Sequence, residues 1–217
     1  GGLPNTSAAQ NPSITYNTPG TYSVQLVSSN TVGSSAPEVK LNYITVLPSP
    51  ISTPLAEGFE TSAVPNATWS VRNDFSSTNW EQTALSYATG SKSVYIDESV
   101  SRGSIVELYS PTYNFSAMPN LALTLKWAGA ERDTNTTDYD IFSVQFSTNC
   151  GLTWTPRVTR NIKSGTTGLS GFVNGSFVPT PSQFKQEVVP LAGVGLTNAT
   201  NVLFKMKFTA ESGKSNN

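Results

Sequence analysis

Histidine is absent from the 217 residues. Its absence removes Ser-His-Asp and Cys-His nucleophilic chemistry, and with them every zinc site built on imidazole. A single cysteine, Cys150, excludes an internal disulfide framework and a cysteine-rich metal site. Charge is scarce as well: 13 basic and 14 acidic residues leave a net charge of −1. That balance gives no electrostatic reason to expect nucleic acid or an anionic membrane as partner. No run of about eighteen apolar residues occurs, so no segment reads as a membrane span. The start, Gly1-Gly2-Leu3-Pro4, has neither the basic stretch nor the apolar core of a signal peptide. Only carboxylate chemistry, such as a glycosidase pair, stays open to this composition.

What the chain has is Ser, Thr, Asn and Gly, interrupted by short runs of Val, Tyr, Phe and Ile. Such a pattern suits many short strands joined by polar turns. No helical period persists over three turns, so the reading is all-β. Residues 1–47 hold three or four strands. Ser13 to Tyr16 alternates, Asn17-Thr18-Pro19-Gly20 turns, and Thr21 to Val27 sets Tyr22, Val24 and Leu26 on one face. After a turn at Asn30-Thr31-Val32-Gly33, Val39 to Val46 puts Val39, Leu41 and Tyr43 on one side. So few strands cannot close a sandwich, which takes about seven. Residues 48–54 carry three prolines and read as a semi-extended linker.

Residues 55–217 follow as a second domain of nine or ten strands. The expected strands are Leu55–Glu60, Trp69–Arg72, Ser93–Asp97, Ile105–Tyr109, Leu121–Gly129, Asp140–Ser147, Thr153–Thr159, Phe184–Val189 and Val202–Thr209. That number suits a jelly roll better than a small immunoglobulin sandwich.

The first segment, NPSITYNTPGTYSVQLVSSNTVGSS followed by NYITV, resembles the C-terminal half of a PKD domain, an immunoglobulin-like sandwich. The resemblance implies that the family's earlier strands precede Gly1. They would be supplied by the rest of the same polypeptide or by a partner chain. The second segment is similar to the MAM-like or cleaved-adhesin-like jelly rolls of secreted Bacteroidota proteins. EGFE near its start, LYSPTYNFSAMPNLALTLKWAGA and DYDIFSVQFSTNCGLTWTPR carry the similarity. Such domains accompany PKD domains in pappalysin-type metalloproteases and adhesins, many exported by the type IX route. The resemblance implies a last strand beyond Asn217. It also implies a secreted or cell-surface location and a calcium ion. Glu60 would be the first ligand, with Asp97 or Glu98 next, because calcium requires six to eight oxygens. The alternative is that these acids are solvated strand ends. A second acidic group, Asp133, Asp138 and Asp140, fits a polar loop better than an EF-hand.

Ser147 to Trp154 resembles an Asp-box, with Asn149 in place of the aspartate. Those residue types are what a tight hairpin needs: an Asx side chain to cap it, Gly151 to turn it and Trp154 to pack beneath. Cys150 at the tip has no histidine to activate it. Of the tryptophans, Trp69 and Trp127 read as core. Trp80, after the polar run Ser76-Ser77-Thr78-Asn79, is the one candidate for a ligand-binding face. Six Asn-x-Ser/Thr triplets, at Asn5, Asn66, Asn114, Asn135, Asn174 and Asn198, mark surface loops. Among Glu57, Glu60, Glu81, Asp97, Glu98, Glu107 and Asp140 no arrangement stands out as a catalytic pair.

The expectation is therefore a non-catalytic accessory region, a spacer and docking module of a larger secreted protein such as a zinc metalloprotease. The alternative is an adhesin-type module that binds a glycan or a protein.

Overall fold

The computed structural model describes residues 1–74, 79–96, 103–118, 120–131, 139–163, 170–173 and 176–210. Asp97, Glu98, Asp133, Asp138 and the segment 212–217 lie outside the described residues. The chain divides into two compact units, Gly1–Ser49 and Pro50–Asn217.

The first unit is an antiparallel pair, β1 (Gly20–Leu26) with β4 (Glu38–Val46). Between them β2 (Ser29–Asn30) and β3 (Gly33–Ser34) form a small hairpin. Asn30 Oδ1 accepts the Val32 and Gly33 amides and so caps its turn. The ladder is irregular between Tyr22 and Val24, where β4 carries extra residues. Tyr22, Val24, Ile44 and Val46 are half-buried and face the N-terminal stretch, where Tyr16 meets Tyr22 at 4.8 Å between ring centroids. The strand expected over Ser13–Tyr16 reduces to one bridge, Leu3 to Thr15, although Ile14 and Tyr16 keep the alternating burial. Val39, Leu41 and Tyr43 stay uncovered, with Leu41 76% exposed.

The second unit contains β5 (Ser70–Asp74), β6 (Glu81–Thr83), β7 (Ser93–Tyr95), β8 (Ile105–Tyr113), β9 (Leu123–Trp127) and β10 (Ala130–Glu131). It continues with β11 (Asp140–Ser147), β12 (Thr155–Ile162), β13 (Ser170–Phe172), β14 (Lys185–Val189) and β15 (Val202–Thr209). A 3-10 turn, Pro181–Gln183, precedes β14. Five strands make one antiparallel sheet in the order β12-β11-β15-β8-β5. The pair β9-β14 and the pair β6-β7 are separate short sheets. The all-β expectation and the β-sandwich expectation are both met.

Register explains the core. Val71, Leu108, Met206, Val144 and Val158 lie side by side across the five strands. The Met206, Val144 and Val158 part of this row, with Phe142, Phe146, Phe204 and Phe208, packs against Leu123, Leu125, Trp127, Val189 and Leu196. Trp127 stacks on Phe142 at 4.9 Å, which places it in the core as its alternation required. A second cluster joins Val64, Trp69 and Leu108. At one side β12 is tied to β14 by polar contacts. Arg160 makes a two-pronged pair with Glu187 at 2.6 and 2.9 Å, and Arg157 donates to the Pro190 carbonyl at 2.7 Å.

The strand expected at Leu55–Glu60 does not form. Glu57 Oε1 takes the Phe59 amide at 2.5 Å, and Phe59 sits at φ 59° in the left-handed region. A local side-chain bond thus removes the donor that a ladder would need. β8 is longer than its alternation suggested because Pro111 lies at an irregularity between β8 and β15. There Ser110 Oγ takes the Phe204 amide at 3.0 Å. Beyond that point Ile51 replaces β5 as the neighbour, donating to the Thr112 carbonyl.

Leu108→Ala, at a position 1% exposed, should cost about 2–5 kcal/mol in denaturant unfolding. Leu41→Ala, at 76% exposure, should stay within about 0.5 kcal/mol. Equal costs would contradict this account of where the core lies.

Candidate functional site

The five-stranded sheet turns a polar face away from its core. Arg72, Glu107, Lys207, Ser143 and Thr159 are register neighbours across it. The next row is Ser70, Tyr109, Lys205, Gln145 and Pro156. The centre of this face is an ion pair: Lys205 Nζ lies 2.7 Å from Glu107 Oε1, with residue exposures of 6% and 8%. The Tyr109 hydroxyl donates to the other Glu107 oxygen. Burial and the neighbouring carboxylate push the Tyr109 phenol well above its ordinary pKa, so it stays a donor.

Trp154 closes over this pair. Its ring lies 4.1 Å from Lys205 Nζ and meets Tyr109 edge-on at 5.6 Å. The hairpin that delivers it is built as its residue types suggest. Asn149 Oδ1 accepts the Thr153 amide at 3.0 Å and the Ser147 hydroxyl at 2.8 Å, while Asn149 Nδ2 donates to Thr153 Oγ1 at 2.9 Å. Gly151, at φ 85°, needs glycine both for its backbone and because a Cβ there would meet the indole at 3.3 Å. Cys150 sits exposed at the tip. The Asp-box-like turn therefore works at one remove, by holding Trp154 over Lys205.

The other candidates occupy different places. Glu60 clamps the 90–92 loop: its carboxylate accepts the Ser91 hydroxyl at 2.7 Å and the Ser91 and Lys92 amides at 3.1 and 3.3 Å. Gly90, at φ 74°, lies so close that a Cβ would come 2.1 Å from Glu60 Oε1. The Ser91 hydroxyl, then its amide, hold the Glu60 carboxyl below the ordinary glutamate range. Among the described residues no group of three or more His, Cys, Asp or Glu side chains could hold a metal. These residues alone therefore do not supply a calcium shell, and Asp97 and Glu98 fall outside them. Trp80 is partly buried between the two core clusters, its indole nitrogen enclosed without a hydrogen-bond partner. Among the described residues no hydrogen bond, ion pair or ring contact joins Glu60, Trp80 and the Lys205 cluster to one another.

Several of the other acids are already engaged by neighbours. Glu57 takes the Phe59 amide and the Trp69 indole N–H, and Glu81 takes the Tyr95 hydroxyl at 3.4 Å. Glu107 pairs with Lys205, and Asp140 is buried with a partner. Beside Glu57, burial pushes the Tyr113 phenol up to about 12.

Neither a protein-family model nor a curated protein matches the sequence. Two solved structures are similar at 15% identity. The K2 cleaved adhesin domain of Lys-gingipain has a TM-score of 0.44, covering 71% of this chain and 94% of its own. Carbohydrate-binding modules of the β-sandwich superfamily, with promiscuous specificity, are represented at a TM-score of 0.45, covering 91% of this chain and 71% of that chain. At such scores neither likeness identifies a ligand or a site. No helix among the described residues is long and apolar enough to cross a membrane.

Of the sheet-face residues, the sequence pointed to Trp154 only as turn packing and to Glu107 only as one acid among several. Lys205 and Lys207 did carry a signal, since a Lys-x-Lys spacing within a strand puts both on one face. Nothing in the spacing says which strand lies opposite.

Because the folded state holds the Glu60 pKa down, the clamp contributes stability above the unfolded-state pKa and loses it as pH falls through the lower folded value. The Ser91 and Lys92 amide shifts should titrate with a midpoint below that of a free glutamate. Glu60→Gln should abolish the transition. A midpoint at or above the ordinary value would rule out the clamp.

Proposed function

We propose that the second unit is a non-catalytic binding module of an extracellular or cell-surface protein, and that it takes a glycan on the outer face of the five-stranded sheet. The observation that carries this reading is Trp154 set half-buried beside Tyr109 over the Glu107–Lys205 pair. An indole ring held in place offers a flat apolar surface to a sugar ring. The neighbouring Arg72, Gln145 and Lys207 provide polar side chains for hydroxyl groups. Apart from Trp154, which the Asn149-centred hairpin holds in place, these residues lie on strands, so little ordering entropy opposes association. The two similar structures, named as an adhesin domain and as carbohydrate-binding modules, agree in kind, but the proposal rests on the sheet face.

The wider setting we propose is the one the family resemblance implies. The first unit would be part of an immunoglobulin-like, PKD-type sandwich completed by further strands of the same polypeptide or of a partner chain. It would serve as a spacer beside the docking module. The parent would be a type IX secretion cargo, such as a zinc metalloprotease. The resemblance also implies calcium, with Glu60 as its first ligand and Asp97 or Glu98 next. Scanning calorimetry with added calcium and with EDTA tests it: a rise in Tm with the metal, lost in Glu60→Gln, supports the ion, and identical melting removes it.

Affinity electrophoresis through gels containing soluble polysaccharides tests the glycan. The protein should be retarded by at least one polymer, and Trp154→Ala should migrate as in a blank gel while keeping its far-ultraviolet circular dichroism. Since Trp154→Ala also uncovers Lys205, Trp154→Phe serves as a second variant, with retardation partly kept. Retardation unchanged in both variants would place any glycan site elsewhere.

A further inference from the structure

The charges in these two rows of the outer sheet face do not balance. Glu107 has Arg72 on one neighbouring strand and Lys207 on the other, each in direct register, and Lys205 one pair along. Among the described side chains in these two rows, three cations therefore surround one carboxylate. That carboxylate is already spent on Lys205 and Tyr109. Arg72 has a partner of its own. Lys207 is half-buried, and among the described residues no hydrogen bond or ion pair involves it. Its pairwise neighbours are Glu107 and Ser143, and Thr159 lies one strand further. The whole chain carries a net charge of −1, so this local excess of positive charge is not a reflection of the average.

We infer that the module's ligand is an acidic glycan, whose carboxylate or sulfate pairs with Lys207 while an adjacent sugar ring meets Trp154. This inference rests on the glycan reading above and gives it a chemical class. An anion at Lys207 would complete the charge count of the row. The strongly hydrated ammonium, held on a sheet rather than on a loose loop, would gain a charge-assisted hydrogen bond. Thr159, exposed one strand further, offers a hydroxyl to the same group. An acidic polypeptide would also satisfy the charge, but would make no use of the indole face.

The test compares homogalacturonan with its methyl ester, polymers that share a backbone and differ in charge, by titration calorimetry. Polyglutamate serves as a charge-only control, and sulfated and neutral polysaccharide pairs extend the panel. The acidic polymer of a pair should bind and its neutral counterpart should not. Binding should weaken strongly near 1 M salt, where screening acts within ~3 Å. Lys207→Ala should lower affinity for the acidic polymer about tenfold. It should leave Tm unchanged, because Lys207 holds nothing in the fold. Lys126→Ala, an exposed lysine on β9 in another sheet, should change neither.

Equal binding of acidic and neutral polymers, both lost in Trp154→Ala, would overturn the acidic ligand and leave the glycan module standing. Polyglutamate bound as tightly as the polyuronate would overturn the glycan in favour of an acidic protein. No binding anywhere in the panel would remove both readings.

Discussion

Strand β15 lies in the middle of the five-stranded sheet, hydrogen-bonded to β11 on one side and β8 on the other. Everything else in the second unit depends on that insertion. It is a pairing between distant parts of the chain: the contact between Ser110 Oγ and the Phe204 amide spans 94 residues. Once β15 is in register, Phe208 aligns with Phe142 and Val106, and Met206 with Val144 and Leu108. A slip of one residue would turn this apolar set to solvent and the lysines into the core. The same register puts Lys205 within reach of Glu107. One pairing decision thus builds both the apolar core and the polar face.

Stability and function are coupled on that face. A buried lysine is costly unless it is paired, and Lys205 is paired with Glu107 and covered by an aromatic ring. Trp154 can cover it only because the Asn149-centred hairpin fixes where β12 begins. The hairpin satisfies its own polar groups, with Asn149 accepting, donating and being capped by Ser147. A turn that carries no chemistry thereby sets the position of the one aromatic surface best placed to meet a sugar.

The two units contrast in how they hold their strands. In the second, the central strands β11, β15 and β8 are paired on both sides and their apolar rows are covered. In the first, a two-stranded ladder leaves Val39, Leu41 and Tyr43 largely exposed and contributes no side chain to the buried hydrophobic set among the described residues. An isolated pair of strands gains too little from burial to be stable alone.

Much was legible in the sequence because strand periodicity is a local property. The strands at Asp140–Ser147 and Val202–Thr209 have the bounds their alternation suggested, and Trp69 and Trp127 are core as their neighbours required. The Ser147–Trp154 turn was legible for the same reason: its hydrogen bonds join residues close in sequence. The Leu55–Glu60 strand misled because Glu57 satisfies the Phe59 amide from its own side chain, an event that alternation cannot reveal. Glu60 read as a metal ligand by resemblance, and only the tertiary structure shows its carboxylate closing on Ser91 and Lys92, about thirty residues away. The sheet-face cluster was hidden for the deepest reason. Glu107 and Tyr109 come from β8, Lys205 and Lys207 from β15 and Trp154 from the turn that enters β12, and their meeting is a consequence of strand order. Composition and alternation determined that this protein is a stack of short strands with a dry side and a wet side. Which strands lie next to each other, and so which charges and rings share a face, was decided by long-range pairing that no local pattern encodes.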